Sequence, residues 1–235
     1  MVEYPQFLER LRRLRESIAS ICKRCNRSSE SVEILAVTKV HPLEAIQFAA
    51  QAGLSGIGEN RVQEAITKFS HTLCPSIRKE LIGPLQRNKA KLAVQHFDRI
   101  QSVDSVKLAD KINSCATELG KTQAILLQIN VDDDPQKSGF SLAEAPASFE
   151  ACLEKNALRV EGLMTIGILT TDPQRIRETF CRLATLKQQL EDQFNHPLPE
   201  LSMGMSNDYS LAIEQGSTQI RVGTQLYGNR PSKNG

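Results

Sequence analysis

Between Val32 and Tyr227 the chain alternates eight short, largely apolar runs with segments of helical periodicity, and few architectures accept that order. The runs expected as strands are Val32–Lys39, Ser55–Asn60, Glu80–Pro84, Arg99–Val103, Ala124–Val131, Val160–Ile166, Leu201–Ser206 and Thr218–Tyr227. The segments expected as helices are Leu43–Gln51, Arg61–Phe69, Gln86–Gln95, Ser105–Leu119, Leu142–Lys155, Pro173–Gln193 and Asp208–Gln215. Such alternation with no long break predicts an α/β fold, a parallel (β/α)8 barrel of the TIM type. An open doubly wound sheet is the alternative, and it usually has fewer strands. The third and fourth runs are the least strand-like of the eight.

A further helix precedes the alternation. Phe7, Leu11, Leu14, Ile18 and Ile21 recur at three-or-four spacing over Gln6–Cys25 and make one apolar stripe. Arg10, Arg12, Arg13 and Arg15 cover the opposite face, and no aromatic residues interleave with them. That face reads as solvated surface, not as a nucleic-acid site. Gly53, Gly120 and Gly216 follow helices as C-terminal caps, and Asp172-Pro173 opens the long helix as N-cap and first-turn proline. A length of 235 residues suits one barrel. Residues 1–235 are therefore expected as a single domain, with 1–28 packing on the barrel as an N-terminal helix and 231–235 frayed.

The net charge of +2 gives no pull toward nucleic acid or a membrane surface. No apolar stretch approaches a membrane span, and Met1–Pro5 lacks the apolar core of a signal peptide, so a cytoplasmic location is expected. The 6 cysteines fit a reducing compartment. Cys22 and Cys25 form one C-x-x-C at a helix end, without the second pair a zinc site needs or the preceding strand a redox site needs. The Asp132-Asp133-Asp134-Pro135 run lacks the glycine and distal glutamate of a calcium loop. No metal is expected.

In barrels of this type, chemistry collects at the carboxyl ends of the strands. There the sequence places Lys39, Gly58-Glu59-Asn60, Gly83–Gln86, Asn130, Met164–Ile166, Met203–Ser206 and Arg221–Thr224. Lys39 ends an apolar run; partly desolvated, its amine could attack a carbonyl to form a Schiff base, or it could simply solvate a strand end. Ser206 ends the seventh run just before a helix, while Gly223 and Thr224 sit near the end of the eighth. Together they read as a phosphate cradle, or separately as an N-cap and a strand bulge. An amine beside a phosphate cradle points to pyridoxal 5′-phosphate, which carries an aldehyde and a phosphate on one ring. Arg221 could then face the ring nitrogen; since arginine only donates, it would leave that nitrogen unprotonated and weaken the ring as an electron sink. Its alternative is a salt bridge near the barrel floor. A Schiff-base aldolase barrel without any cofactor is a third possibility.

Six segments resemble one family, in order and over nearly the whole chain: Ala36–Lys39, Gly58–Glu64, Ile82–Lys89, Lys137–Gly139, Leu201–Asp208 and Gly216–Thr224. The chain is identified by them as a member of the pyridoxal phosphate homeostasis protein family. The resemblance implies a fold-type III pyridoxal-phosphate-binding barrel like the N-terminal domain of alanine racemase, monomeric, with no established turnover. Carried over by motif, Lys39 is the Schiff-base lysine and Asn60 lies near the ring. Ser206, Gly223 and Thr224 hold the phosphate, and Arg221 faces the pyridine nitrogen. No catalytic residue is carried over. Lys137 also belongs to a family motif; beside the aspartate run it reads as a solvated loop lysine, with a secondary role in handing over cofactor as the alternative.

Two functions are then in play. One is a carrier that buffers pyridoxal phosphate within the cell and hands it to apo-enzymes. The other is a racemase-like or decarboxylase-like enzyme. Racemization needs a proton acceptor on each face of a carbanion. The chain ends soon after its eighth run, where such enzymes add a second domain, and neither Tyr4, Tyr209 nor Tyr227 has a clear claim to be the missing base. A carrier is the expectation, without nucleic-acid or membrane partners.

Overall fold

A strand buried on both faces must find a neighbour along each edge, and in this chain every strand does. The computed structural model describes residues 2–71, 73–168 and 170–228. Its strands are β1 (Glu33–Val37), β2 (Gly56–Glu59), β3 (Arg78–Leu81), β4 (Arg99–Val103), β5 (Gln123–Gln128), β6 (Leu158–Met164), β7 (Glu200–Met205) and β8 (Gln219–Val222). All pair in parallel in sequence order, and β8 closes on β1. The closed eight-stranded barrel is the TIM architecture expected from the alternation.

Helices α2 (Leu43–Gln51), α3 (Val62–Phe69), α4 (Ala90–His96), α5 (Val106–Glu118), α6 (Ala145–Leu153), α7 (Pro173–Phe194) and α8 (Tyr209–Glu214) fill the crossovers. Asp172 caps α7 by accepting from Gln174 N, and Gly53, Gly120 and Gly216 carry positive φ just past α2, α5 and α8. The extra N-terminal helix, α1 (Tyr4–Arg24), buries its whole predicted stripe against Ile213, Ile220, Leu226 and Tyr227. On its outer face Arg12 pairs with Glu9 and Glu16, and Arg13 with Glu9. Cys22 and Cys25 are both free thiols. Among the described residues no helix is long and apolar enough to cross a membrane.

All the expected strands but β4 change their bounds by a few residues, and two of the changes bear on the site and the floor beneath it. The third run was expected over Glu80–Pro84, but β3 starts at Arg78, because Arg78 and Glu80 point into a charged barrel floor while Lys79, on the other face, lies over the Phe69 ring. There Glu80, fully buried, accepts from Arg78 Nε at 2.8 Å, Arg99 Nε and NH2 at 2.8 and 2.9 Å, Gln101 Nε2 at 2.5 Å and Gln219 Nε2 at 3.1 Å. Arg99 also reaches Glu161 and Glu200, both at 3.1 Å, and Arg78 pairs with Glu33. The eighth run was expected to reach Tyr227, but β8 ends at Val222 and Thr224–Tyr227 winds into a one-turn helix, α9. Gly223 makes the break while pressed on β1, where a Cβ would stand 3.1 Å from Val37 O. The tail expected to fray, 231–235, lies outside the described residues.

Candidate functional site

In the closed barrel the carboxyl ends of β7, β8, β1 and β2 are consecutive, and all six residues singled out from the sequence fall on them. Ser206 follows β7; Arg221 lies in β8, with Gly223 and Thr224 behind it; Lys39 follows β1 and Asn60 follows β2. The register makes Arg221 a neighbour of both Leu35 and Met205, and Val37 a neighbour of Gly58. Lys39 is not in the strand, as its run suggested, but in a half-buried turn two residues beyond Val37.

Arg221 is 5% exposed and crosses the barrel interior. Its NH1 donates to Ser202 O and Oγ, both at 2.8 Å, and its NH2 to Thr165 O at 2.7 Å. These bonds engage at most three of its five N–H groups and hold the guanidinium plane. The floor salt bridge considered for Arg221 is made instead by Arg78 and Arg99. Burial pushes the Arg221 guanidinium down to about 10, with Asp208 and Glu80 opposing, so it stays cationic at neutral pH.

The two loops behind Ser206 and Gly223 are tied together. Gln225 Nε2, from α9, donates to Ser206 O at 3.0 Å. Asp208, not Ser206, precedes α8, and its carboxylate turns back to accept from Met205 N at 2.6 Å, closing the turn that presents Ser206. Burial pushes the Asp208 carboxyl up, against the Met205 N–H and Arg221. Thr224 is exposed and Ser206 half-buried. The helices that follow them have 6 and 4 residues, so these loops offer N–H and hydroxyl groups more than a helix dipole.

The Lys39 turn is fastened by residues that the periodicity did not single out. Thr38 Oγ1 donates to Glu59 Oε1 at 2.7 Å, and Lys68 Nζ donates to the same oxygen at 2.7 Å. Burial pushes the Glu59 carboxyl up, and Lys68 and Thr38 work against it. Glu59 stood among the strand ends, and Thr38, Glu59 and Glu64 within the family segments; Lys68 had only its spacing from Glu64, four apart on a helix that begins beside Asn60. Lys137 donates to Gly167 O at 3.0 Å and lies 3.7 Å from Asp134.

Asn60 is positioned by close packing. A Cβ on Gly83 would stand 2.3 Å from Asn60 O and 2.7 Å from its Cα. Gly83→Ala is expected to displace Asn60 and destabilise the fold by about 1–3 kcal/mol, read as a lower denaturant midpoint. Val40, Ile166 and Met205 form an exposed apolar rim around this mouth, at 46%, 41% and 38% exposure. Clefts of about 520 and 740 Å³ lie elsewhere, along α7 and between α1 and the amino ends of β1 and β2, and hold none of these residues.

The family model "Alanine racemase, N-terminal domain" matches residues 10–231. A pyridoxal phosphate homeostasis protein of Vibrio alginolyticus is 41% identical over 199 residues, covering 83% of this chain and 85% of that one. The chain belongs to the pyridoxal phosphate homeostasis protein family. Another homeostasis protein, from Escherichia coli strain K12, is 36% identical over 198 residues, covering 83% of this chain and 84% of that one. Among solved structures of the family, PipY of Synechococcus elongatus PCC7942 with PLP bound is 40% identical. It superposes with a TM-score of 0.83, covering 94% of this chain and 100% of that one. Alanine racemase of Clostridium difficile 630, at 16% identity and a TM-score of 0.76, shares the fold over 96% of this chain and 58% of its own.

Proposed function

We propose that this chain holds pyridoxal 5′-phosphate on Lys39 at the barrel mouth and takes part in vitamin B6 homeostasis, with no substrate of its own to turn over. The reading is carried by the gathering of one amine, one buried guanidinium and two hydroxyl-bearing loops on four adjacent strand ends. A relative at 40% identity, PipY, was solved with PLP bound, which supports the same ligand here.

The donor set fits that ligand. When bound, pyridoxal phosphate supplies an aldehyde that condenses with a lysine amine, releasing one water. Lys39 offers the amine from its turn. Ser206, Thr224 and the backbone of Gly223 offer donors to a phosphate. Any side chain at 223 would crowd Val37 O, so the residue between Val222 and Thr224 packs closest to β1 as glycine. Arg221 presents N–H groups and no acceptor, so a ring nitrogen facing it receives a hydrogen bond and gains no proton. Asn60, beside the Lys39 turn, offers an amide to the ring substituents.

The tyrosines support a carrier over an enzyme. Tyr227, fully buried, donates its hydroxyl to Ala45 O at 2.9 Å, and burial holds its proton well above the usual range. Tyr209 shares a 2.9 Å bond with Ser17 Oγ, and Tyr4 packs on Phe7 and Phe48. None is placed to exchange a proton at the mouth. The whole span 1–235 acts as one cofactor-binding unit, a cytoplasmic monomer that passes its cargo to apo-enzymes.

Borohydride reduction of the protein loaded with pyridoxal phosphate tests this. Peptide mass spectrometry is expected to find the reduced cofactor on Lys39 alone. A label on another lysine, or steady racemization or decarboxylation of amino acids at enzyme rates, overturns the reading.

A further inference from the structure

Val40, the residue after Lys39, has φ +56, a left-handed backbone that a β-branched side chain adopts only under constraint. Packing does not supply that constraint, because the Val40 side chain is 46% exposed. Helix α3 does. Glu64 Oε1 accepts from Val40 N at 2.6 Å, and Lys68 Nζ donates to Thr38 O at 2.9 Å. The backbone is thus gripped on both sides of Lys39 by one helix. The grip is itself braced: Lys68 lies 2.7 Å from Glu59 Oε1 and 3.2 Å from Glu64 Oε1, and its side chain is only 10% exposed.

We propose that Glu64 and Lys68 are positioning residues that hold the Lys39 turn in its strained form, and that this strain sets how long the protein retains pyridoxal phosphate. The inference rests on the reading that the cofactor is held on Lys39. With the clamp in place, the lysine is aimed before the ligand arrives, so little ordering remains to be done on binding. With the clamp broken, Val40 relaxes toward an ordinary backbone and turns the neighbouring lysine away from its ligand. A protein that must both keep and surrender its cargo gains from a grip that a small local change can loosen.

The test is a rescue. Release is followed on the loaded protein as loss of visible absorbance after dilution into excess alkaline phosphatase, which consumes free cofactor. Glu64→Ala is expected to release roughly tenfold faster, equivalent to about 1.4 kcal/mol. Glu64→Gln keeps an acceptor for Val40 N and is expected to stay near wild type. Adding Val40→Gly to Glu64→Ala is expected to restore retention to within about twofold, since glycine takes positive φ without strain. Lys68→Met, which leaves Thr38 O with the His41 N–H alone, gives an independent arm with release accelerated in the same direction. Unchanged release in Glu64→Ala and Lys68→Met overturns the proposal, as does a rate that Val40→Gly fails to restore. A lower melting temperature with unchanged release marks a purely structural role and also overturns it. Should wild-type protein carry no label on Lys39 after borohydride, the functional reading fails before the clamp is tested.

Discussion

Lys39→Ala is expected to abolish covalent capture of pyridoxal phosphate completely while leaving the barrel folded. The three bonds that shape its turn, from Val40 N to Glu64 and from Lys68 and His41 N to Thr38 O, use backbone atoms of the turn and survive the loss of the side chain. The loops at Ser206 and Gly223 remain, so weak reversible binding of the cofactor persists. Mass spectrometry after borohydride treatment of the variant should find no labelled peptide, and its melting temperature should stay near that of wild type. A label that persists at another lysine would mean that the amine has been misassigned, and Lys137 would be the first to test.

Glu80→Ala is expected to have the largest effect on stability. Its carboxylate receives Arg78, Arg99, Gln101 and Gln219 in a site closed to water. Removing one partner of a buried pair costs about 3–5 kcal/mol, here with Glu161 and Glu200 still on Arg99 and Glu33 still on Arg78. For a chain of this length that is a drop in melting temperature of roughly 6–20 °C. Its pH dependence has a definite sign. Arg99 holds the Glu80 carboxyl below the usual carboxylate value, against the penalty of burial. The stabilisation is therefore fully present above the ordinary carboxylate range and is lost as pH falls through the lowered native value. The gap between variant and wild type should be widest near neutrality and close in acid. A gap that widened in acid would show that Glu80 is not ionised in the native barrel.

The same floor explains what could be read from the chain and what could not. The barrel was legible because seven crossovers each carry an apolar helical stripe, and because β1, β5 and β6 are rich in apolar residues. β3 was not, since Arg78, Lys79 and Glu80 break the apolar pattern by which buried strands are found. The burial of Glu80 becomes favourable only when Arg99, Gln101 and Gln219 arrive from strands far along the chain. The site was legible as a set of strand ends, which fixed Lys39, Asn60, Ser206 and Arg221 within a residue or two. The clamp was not, because neither Glu64 nor Lys68 lies at a strand end. Their role depends on the backbone angle of Val40, which no spacing encodes. Ser202 was hidden too: a mid-strand serine gives no hint that it will receive a guanidinium from β8.

The pairing of β1 with β8 joins the first strand made to the last. Tyr227 reinforces that seam from the far end of the chain, stacking on Phe7 and bonding to Ala45 O. During synthesis the leading edge of the sheet therefore waits, unpaired, until β8 has been made. Chains truncated before residue 219 are expected to aggregate or recruit chaperones.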